Sequence, residues 1–366
     1  MAILVVNAGS SSLKLSLLDD GDRVLHAAEL AAPRARVNPR ELEAALGSEL
    51  GNADAVGHRI VHGGTRYRRA TRIDPEVRAG LAELAELAPL HQAKSLAALD
   101  AVGELLPSLP AVACFDTAFH ATLPDAASTY ALPRQLRESR GLRRFGFHGL
   151  SHAWVAERVP QLLGTDGAGL RIVSCHLGAG ASLCAIADGR SRDTTMGFTP
   201  LEGLVMATRS GSLDPGMLLW LIEREELDPA LLAQMLEHES GLLGLCGASD
   251  MSEVIARADA GEGSARLARD VYVHRLCGAV AAMAASLGGL DVLAFTGGVG
   301  EHAPPVRELA AARLEFLGVV LDPDRNAGGE GDAEIGAAEG RVRTAIVSAR
   351  EDVLIARETR AVLRAA

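Results

Sequence analysis

The sequence of 366 residues predicts an α/β fold on three observations. Short apolar runs typical of strands alternate with helical segments, which is the pattern of α/β sheets. Glycines and polar side chains follow directly after several of these runs. Residues 171–190 also repeat the order of residues 2–21, namely strand, glycine-containing turn, strand and second turn. Such a repeat indicates two copies of one supersecondary unit, and the chain is long enough for two domains.

The N-terminal elements are predicted from turn and capping signals. Strands are expected over residues 2–6 and 12–18, followed by a turn at residues 19–21. A helix then begins at Pro75 with Asp74 as its N-cap, because aspartate caps helices and proline suits the first helical position. Its apolar face consists of Val77, Leu81, Leu84 and Leu87. The pattern predicts an N-terminal hairpin and a first amphipathic helix.

The later elements complete the alternation. A helix is predicted over residues 93–106, and a buried strand ends at Asp116. Further strands are predicted at residues 291–295 and 345–348, each followed by a polar turn and then a helix. The apolar stretch from Leu276 to Leu290 is rich in alanine and glycine and too short to cross a bilayer, so it predicts a buried helix.

Composition narrows the functional class. The formal net charge of −11 argues against a nucleic-acid partner, although a local arginine cluster could still hold a small anion. The five cysteines have no metal-binding spacing, which favours thiols of a reducing cytosol over a disulfide framework. No signal peptide or membrane span is recognisable at the start of the sequence. We therefore expect a cytoplasmic protein without membrane partners.

Glycine-rich turns follow three predicted strands. They contain the stretches "NAGSSSLK", "HLGAG" and "TGGVGEH". Backbone N–H groups in such turns, with hydroxyl and ammonium donors beside them, can cradle phosphate oxygens. Each turn alone could be an ordinary polar loop, and the Walker A pattern is absent. Three such turns in one α/β chain favour a nucleotide or phosphate ligand.

Charged residues beside these turns suggest phosphoryl chemistry. Arg59 lies on an otherwise apolar strand and Arg209 precedes a Gly/Ser turn, so both need an anionic partner, either a phosphoryl group or a structural ion pair. Asp116 has the placement of a Mg²⁺ carboxylate, or of an N-cap. His148 and His152 are four residues apart, but Gly149 between them argues against a zinc-binding helix.

Taken in order from residue 7 to residue 360, these segments resemble the acetate kinase family. The motifs include "NAGSSSLK", "GHRIVHGG", "FDTAFH", "RFGFHGLSH", "TRSGSLDP" and "FTGGVGEH". The resemblance implies two duplicated ribonuclease-H-like (actin-like ATPase) domains, residues 1–118 with 350–366 and residues 119–349, with the active site in the cleft between them. It also implies transfer of a phosphoryl group from ATP to acetate with Mg²⁺, or Mn²⁺, giving acetyl phosphate and ADP, by a homodimer.

The resemblance assigns roles by position. The Mg²⁺-associated residues would be Asn7 and Glu351, and Asp116 would be catalytic or metal-positioning. Arg59 and Arg209 would hold the acyl carboxylate and the phosphoryl group, while His148 would stabilise the transition state. The small acyl pocket would consist of Val61, Leu90, Phe147 and Pro200. The phosphate and nucleotide contacts would be Ser10, Ser12, Lys14, His176, Leu177, Gly178, Ala179, Gly180, Asp250, Met251, Ser252, Gly298, Val299, Gly300, Glu301 and His302.

The chain departs from the family pattern on the nucleotide side. The family usually has Asn at Ala179, Phe-Arg at Met251 and Ser252, and Asn at His302, and residues 20–52 form a shorter segment than usual. Two alternatives within the same chemistry are a kinase of propionate or another short acid, and a kinase with a different donor such as GTP or pyrophosphate. A third is an inactive nucleotide-binding regulatory module, against which the presence of Arg59, Asp116, His148, Arg209 and Glu351 argues.

Overall fold

The computed structural model describes residues 1–9, 12–31, 38–47, 49–84 and 89–365, and gives the backbone alone for residues 89–91. It separates into two compact units. The first comprises Met1–Ala121, Phe147–Leu150 and Arg350–Ala366, and the second comprises Thr122–Gly146 and Ser151–Ala349. None of the helices in this described part of the chain has the length and apolar character needed to cross a bilayer.

The strands and helices alternate along the chain. The strands are β1 Ile3–Ala8, β2 Ser12–Leu18, β3 Val24–Ala31, β4 Ala55–Ile60, β5 Thr71–Arg72, β6 Ala111–Phe115, β7 Arg171–Leu177, β8 Ala181–Ala187, β9 Arg190–Thr194, β10 Val292–Thr296, β11 Ala333–Glu334 and β12 Arg343–Ile346. The helices are α1 Pro39–Leu46, α2 Pro75–Glu83, α3 Pro89–Leu105, α4 Asp125–Ser128, α5 Arg134–Arg140, α6 Gly149–Leu163, α7 Pro215–Arg224, α8 Pro229–His238, α9 Gly241–Cys246, α10 Met251–Asp259, α11 Gly263–Ser286, α12 Gly297–His302, α13 Pro304–Leu314, α14 Pro323–Gly328 and α15 Glu351–Arg364.

Each unit contains one mixed six-stranded sheet, and the two sheets have the same topology. The strand order is β3-β2-β1-β4-β6-β5 in the first unit and β9-β8-β7-β10-β12-β11 in the second. In both, the first three strands form an antiparallel meander, and the first strand also pairs in parallel with the fourth. The predicted α/β class and the predicted repeat are confirmed.

The first sheet is covered on both faces. On one face, Ala98 and Val102 of α3 share an apolar core with Leu4, Val6 and Val56 of the sheet. On the other face, α15 lies so close to β4 that a β-carbon on Gly57 would come within 2.4 Å of Thr359 Oγ1 and 2.7 Å of Ile355 Cγ2. Because side chains alternate along a strand, Arg59 points to the same face as Gly57. This places Arg59 on the side of the sheet that α15 covers.

Several predicted elements are found at their expected places. The Asp74 side chain accepts a hydrogen bond from the Val77 N–H at 2.7 Å and so caps α2. Helix α3 begins at Pro89, earlier than predicted, and Leu87 of the predicted helical face lies outside the described residues.

One prediction about the second unit is wrong in detail, and another is confirmed but incomplete. The stretch after β10 is not a loop, because residues Gly297–His302 form α12. Gly297 makes the turn on its own at φ +77°, a conformation that other residues rarely adopt. The apolar stretch from Leu276 is only the last part of α11, whose N-terminal half carries exposed charged side chains and therefore lacks an apolar signal.

Candidate active site

Arg59 forms the centre of a buried polar cluster in the first unit. Its Nη2 donates to Asp116 Oδ2 at 2.6 Å, and its Nε lies 3.1 Å from each Asp116 oxygen. Strands β4 and β6 are parallel neighbours, which brings these two side chains to the same end of the sheet. The Arg59 side chain is 16% exposed and that of Asp116 only 1%. Asp116 therefore pairs with Arg59 and does not cap a helix with its side chain.

The same guanidinium reaches two further predicted site residues. Arg59 Nη1 donates to Asn7 Oδ1 at 3.1 Å, and Asn7 Nδ2 donates to Glu351 Oε2 at 3.1 Å. Glu351 Oε2 lies 3.9 Å from Arg59 Nε. Asn7 belongs to the end of β1, next to β4 in the sheet, and Glu351 is the first residue of α15. One end of the first sheet thus brings together four predicted side chains.

The electrostatics of this cluster follow from burial and pairing. Burial acts to lower the pKa of Arg59, but the carboxylates of Asp116 and Glu351 outweigh burial and raise that pKa above the usual arginine value. Burial raises the pKa of Asp116, and the guanidinium of Arg59 opposes that rise. The cluster holds a permanent positive charge between two acidic side chains.

The oxygen atoms of this cluster suit Mg²⁺. Mg²⁺ prefers oxygen ligands and is usually held by one or two carboxylates together with water and substrate phosphates. Glu351 and Asn7 offer a partly exposed carboxylate and an amide oxygen of this kind. Within the described residues, no group of three or more His, Cys, Asp or Glu side chains is arranged around a metal position. These oxygen atoms suit an ion that is held partly by a phosphate ligand better than an ion that is held entirely by protein side chains.

The segment from Phe147 to Gly149 has a constrained backbone. His148 has φ +55°, which costs energy for any residue with a side chain. The Gly149 N–H donates to the Asp116 carbonyl at 2.8 Å, and a β-carbon on Gly149 would lie 2.1 Å from that oxygen. The Phe147 carbonyl accepts from His120 Nε2 at 3.0 Å. These contacts hold half-buried His148 directly after the buried side chain of Phe147.

Two neutral histidines surround Phe147. Its ring meets the His62 ring edge-on with centroids 5.5 Å apart. Burial lowers the pKa of His62 to about 4, and burial likewise lowers the pKa of His120 to about 4 despite its hydrogen bond to the Phe147 carbonyl. Val61 beside His62 is buried as well. The two histidines beside Phe147 are therefore uncharged at neutral pH.

Arg209 of the second unit is fixed from two sides. Its Nη1 donates to the Pro200 carbonyl at 2.9 Å, and its Nε lies 3.6 Å from Glu237 Oε2. Its own carbonyl accepts from Met206 N at 3.1 Å. Gly241, at φ +61°, packs so tightly here that a β-carbon would lie 2.2 Å from the Met206 carbonyl. Arg209 is a preorganised cation with 16% of its side chain exposed.

The glycine turn after β7 lies beside the start of α12. Gly178 N donates to the Gly180 carbonyl at 2.9 Å, which closes the turn. A β-carbon on Gly297 would lie 2.8 Å from the Leu177 carbonyl, and one on Gly178 would lie 3.9 Å from Gly298 N. The Ala179 carbonyl accepts from Ala207 N at 3.2 Å. Two of the predicted nucleotide segments are therefore neighbours within the second unit.

The other predicted nucleotide residues differ in what their side chains can offer. His176 Nδ1 is hydrogen-bonded to Ser151 Oγ at 2.8 Å, and Glu301 Oε1 accepts from Gly297 N at 2.9 Å and Ala349 N at 3.0 Å. Asp250 caps α10. The exposed positions are Ala179, Asp250, Ser252, Gly298 and His302, with Gly180 and Val299 half-buried, while Leu177, Met251 and Gly300 are buried. Leu177 and Met251 can therefore meet a ligand only through their backbone.

The remaining predicted residues are placed as follows. Ser12 donates through Oγ to Glu29 at 2.6 Å, and exposed Lys14 stands opposite Asn7 in the β1–β2 register. Ser10 and the side chain of Leu90 lie outside the described residues. The close packing of Gly149 against the Asp116 carbonyl was not predicted, and no local signal in the sequence indicates it.

Comparisons with known proteins identify relatives of this chain. A family model described as the acetokinase family matches residues 36–357. The chain is 48% identical to an acetate kinase of Gloeobacter violaceus, over 93% of this chain and 82% of that protein. It is 44% identical to an acetate kinase of Leifsonia xyli subsp. xyli, with 98% of both proteins covered.

Solved structures give the same result. The fold matches a crystal structure of Porphyromonas gingivalis acetate kinase with a TM-score of 0.89 and 37% identity, over 99% of each chain. It matches a propionate kinase of Francisella tularensis subsp. tularensis with a TM-score of 0.90 and 33% identity, over 98% of each chain. With a family model that spans most of its length and relatives aligned almost end to end, the chain belongs to the acetokinase family.

Proposed function

We propose that the protein transfers a phosphoryl group reversibly between ATP and acetate, giving acetyl phosphate and ADP. The observation that carries this proposal is the cluster of Arg59, Asp116, Asn7 and Glu351 at one end of the first sheet. Its residue types are those that acid and phosphoryl recognition require, and the named relatives are acetate kinases. The five cysteines form no disulfide, in keeping with a cytoplasmic location.

Phosphoryl transfer to a carboxylate requires that the charge on the phosphoryl group be neutralised more than it requires a general base. A carboxylate is already a nucleophile at neutral pH, so catalysis rests on positioning and on stabilising the transferring phosphoryl group. Of the five N–H donors of Arg59, its hydrogen bonds to Asp116 and Asn7 use three. The other two are available to an oxygen of the acid, while Arg209 and His148 stabilise the charge that develops in the transition state.

A bound Mg²⁺ would neutralise charge on the donor's phosphates and orient them. Asn7 and Glu351 would hold it, and Asp116 would fix Arg59 beside it. On the donor side, backbone N–H groups of the two neighbouring glycine segments would contact the phosphates. The nucleotide would further meet the side chains of His176, Asp250 and His302.

We expect acetate and propionate to be accepted and butyrate to be used poorly. Val61, Phe147 and Pro200 are buried side chains of the type that encloses a short acyl group. One methylene group changes discrimination by about 1–3 kcal/mol, so acetate over propionate is a preference and not an exclusion. Trapping the acyl phosphate with hydroxylamine and comparing kcat/KM for the three acids measures this.

A propionate kinase is the second candidate, because a propionate kinase is among the matching structures. Propionate with the highest kcat/KM would establish that candidate instead. Butyrate as the best substrate would contradict both, and no acyl phosphate from any of these acids would contradict the proposed chemistry as a whole.

We propose ATP as the donor, with weak discrimination between bases. Ala179 cannot supply the amide hydrogen bonds of the family's asparagine, and one such bond to a charged group is worth roughly 1.5–3 kcal/mol. Ser252 and His302 are exposed and lack the guanidinium and amide that the family places there. GTP should therefore support kcat/KM within about tenfold of ATP. Strict ATP specificity, or a pyrophosphate rate far above the ATP rate, would contradict this.

We also propose that two copies associate through α7. This helix has no buried residue, and Met217, Leu219 and Trp220 on it are 41%, 58% and 52% exposed. An apolar surface of this kind in a folded protein indicates an interface. Leu219→Glu should convert the dimer to a monomer in sedimentation velocity. Leu267→Glu is the control, since Leu267 is equally exposed at 57% on another helix of the same unit. A dimer that persists in Leu219→Glu would contradict the proposed interface.

A further inference from the structure

Three side chains of the second unit form a compact polar cluster that the chemistry above does not use. Tyr130 Oη donates to Glu202 Oε2 at 2.6 Å, and Arg144 Nη2 donates to Glu202 Oε1 at 2.7 Å. The Arg144 guanidinium also lies over the Tyr130 ring, 5.6 Å from its centroid. Both carboxylate oxygens of Glu202 are therefore engaged. We call these three residues the Tyr130 cluster.

The Tyr130 cluster holds one stretch of backbone. Arg144 Nη1 lies within hydrogen-bond distance of three successive carbonyls, those of residues 194, 195 and 196, at 3.2, 3.1 and 3.0 Å. Tyr130 Oη accepts from the Phe198 N–H at 2.9 Å. A β-carbon on Gly197 would lie 1.7 Å from Glu202 Oε2 and 2.2 Å from Tyr130 Oη. Residues 194–198 are thus held by contacts with the side chains of Arg144, Tyr130 and Glu202.

This stretch lies just before Pro200, which in turn contacts Arg209. Pro200 follows Phe198 by two residues, and its carbonyl accepts from Arg209 Nη1 at 2.9 Å. The Gly197 carbonyl in turn accepts from Phe145 N at 3.0 Å and Gly146 N at 3.2 Å. A shift of residues 197–198 would therefore move the Pro200 ring and the carbonyl that orients Arg209. The Tyr130 cluster thus holds the backbone that directly precedes Pro200.

We propose that Tyr130, Arg144 and Glu202 are positioning residues that set the selectivity for the chain length of the acid. The proposal rests on the proposed function, in which Pro200 forms a wall of the acyl pocket. None of the three side chains needs to touch the acid. They hold the backbone that carries Pro200. Loosening this backbone should reduce the discrimination against one extra methylene group, which is worth roughly 10- to 200-fold in selectivity.

The test changes one functional group of the Tyr130 cluster at a time. Tyr130→Phe deletes one hydroxyl and with it the bonds to Glu202 and to Phe198 N, and Glu202→Gln keeps the shape but removes the charge. For each variant, kcat/KM is measured for acetate, propionate and butyrate, together with the KM for ATP. We expect kcat/KM for propionate, relative to kcat/KM for acetate, to rise at least about fivefold in both variants. The relative gain should be larger for butyrate, and the KM for ATP should be unchanged.

The matched control is Glu334→Gln. Glu334 makes an equally close two-point pair with Arg343, at 2.7 Å for each hydrogen bond. It lies on β11, at the edge of the second sheet opposite to β9, after which Pro200 follows. Glu334→Gln should leave the ratios of kcat/KM among the three acids unchanged. Circular dichroism and thermal melting confirm that each variant is folded, and Tyr130→Phe, the milder change, covers the case in which Glu202→Gln does not fold.

Two results would overturn the proposal. One is a folded Tyr130→Phe protein whose activities with all three acids fall by the same factor, since that is what a purely structural role produces. The other is a set of kcat/KM ratios among the three acids that is the same in both variants as in the parent protein. A parent protein that phosphorylates none of the acids would instead contradict the proposed function, so the two failures are distinguishable.

Discussion

Replacing Arg59 with leucine should lower the free energy of unfolding by about 3–5 kcal/mol, because removal of one partner leaves a buried charge uncompensated. Asp116, the partner of Arg59, is 1% exposed and would lose its hydrogen bonds to the guanidinium. The loss should be smaller at pH 5 than at pH 8. Without Arg59 the pKa of Asp116 rises further, and protonation then removes the buried charge. Urea unfolding at the two pH values measures both effects.

The matched control for this change is Arg78→Leu. Arg78 pairs with Asp100 at 2.6 Å, as closely as Arg59 pairs with Asp116, but the two side chains are 31% and 46% exposed. An exposed pair contributes about 0–1 kcal/mol, so this variant should remain nearly as stable as the parent. Equal losses in the two variants would show that the Arg59 pair has no special importance for stability.

His148→Asn and Arg209→Ala should each lower kcat at least about 100-fold and change the KM values less. The family resemblance places both side chains on the transition state, where the loss of one preorganised donor costs roughly 3–4 kcal/mol. Asparagine is chosen at His148 because it tolerates the positive φ of 55° better than most residues, so the backbone is preserved. Steady-state rates with acetate and ATP measure kcat and the KM values of each variant.

His26→Ala serves as the control for this experiment. His26 is exposed and lies on β3, at the edge of the first sheet, so its loss should leave kcat unchanged. Near-normal kcat in a folded His148→Asn protein would exclude a transition-state role for the imidazole. Near-normal kcat in Arg209→Ala would in the same way assign Arg209 to structure through its bond to the Pro200 carbonyl.

The elements that could be predicted from sequence are those with strong local signals. The cap at Asp74 and the antiparallel pair β1–β2 are each specified by residues that are near in sequence. Strand β3 was not predicted, because its apolar and polar residues do not alternate. Strand β9 was not predicted, because three charged residues remove the apolar pattern. The helix at Gly297 was missed because two successive glycines favour a turn over a helix.

The candidate site depends on contacts that are distant in sequence. Arg59 and Asp116 are 57 residues apart, and Asn7 and Glu351 are 344 apart. Their meeting requires the strand order of the sheet and the placement of α15, neither of which can be derived from local patterns. Family resemblance supplied the residues, whereas the pairing of Asp116 with Arg59 and the tight contact of Gly149 with the Asp116 carbonyl come from the structure alone.

The shared topology of the two sheets has an evolutionary consequence. In both units, the connection from the third to the fourth strand occupies the same topological position, at residues 32–54 in the first and residues 195–291 in the second. The lengths of the strand connections differ between the two units mainly at this one position. Pro200, Arg209 and Asp250 all lie on the longer connection. Evolution could thus change the acid or the donor by altering this connection while leaving both sheets unchanged.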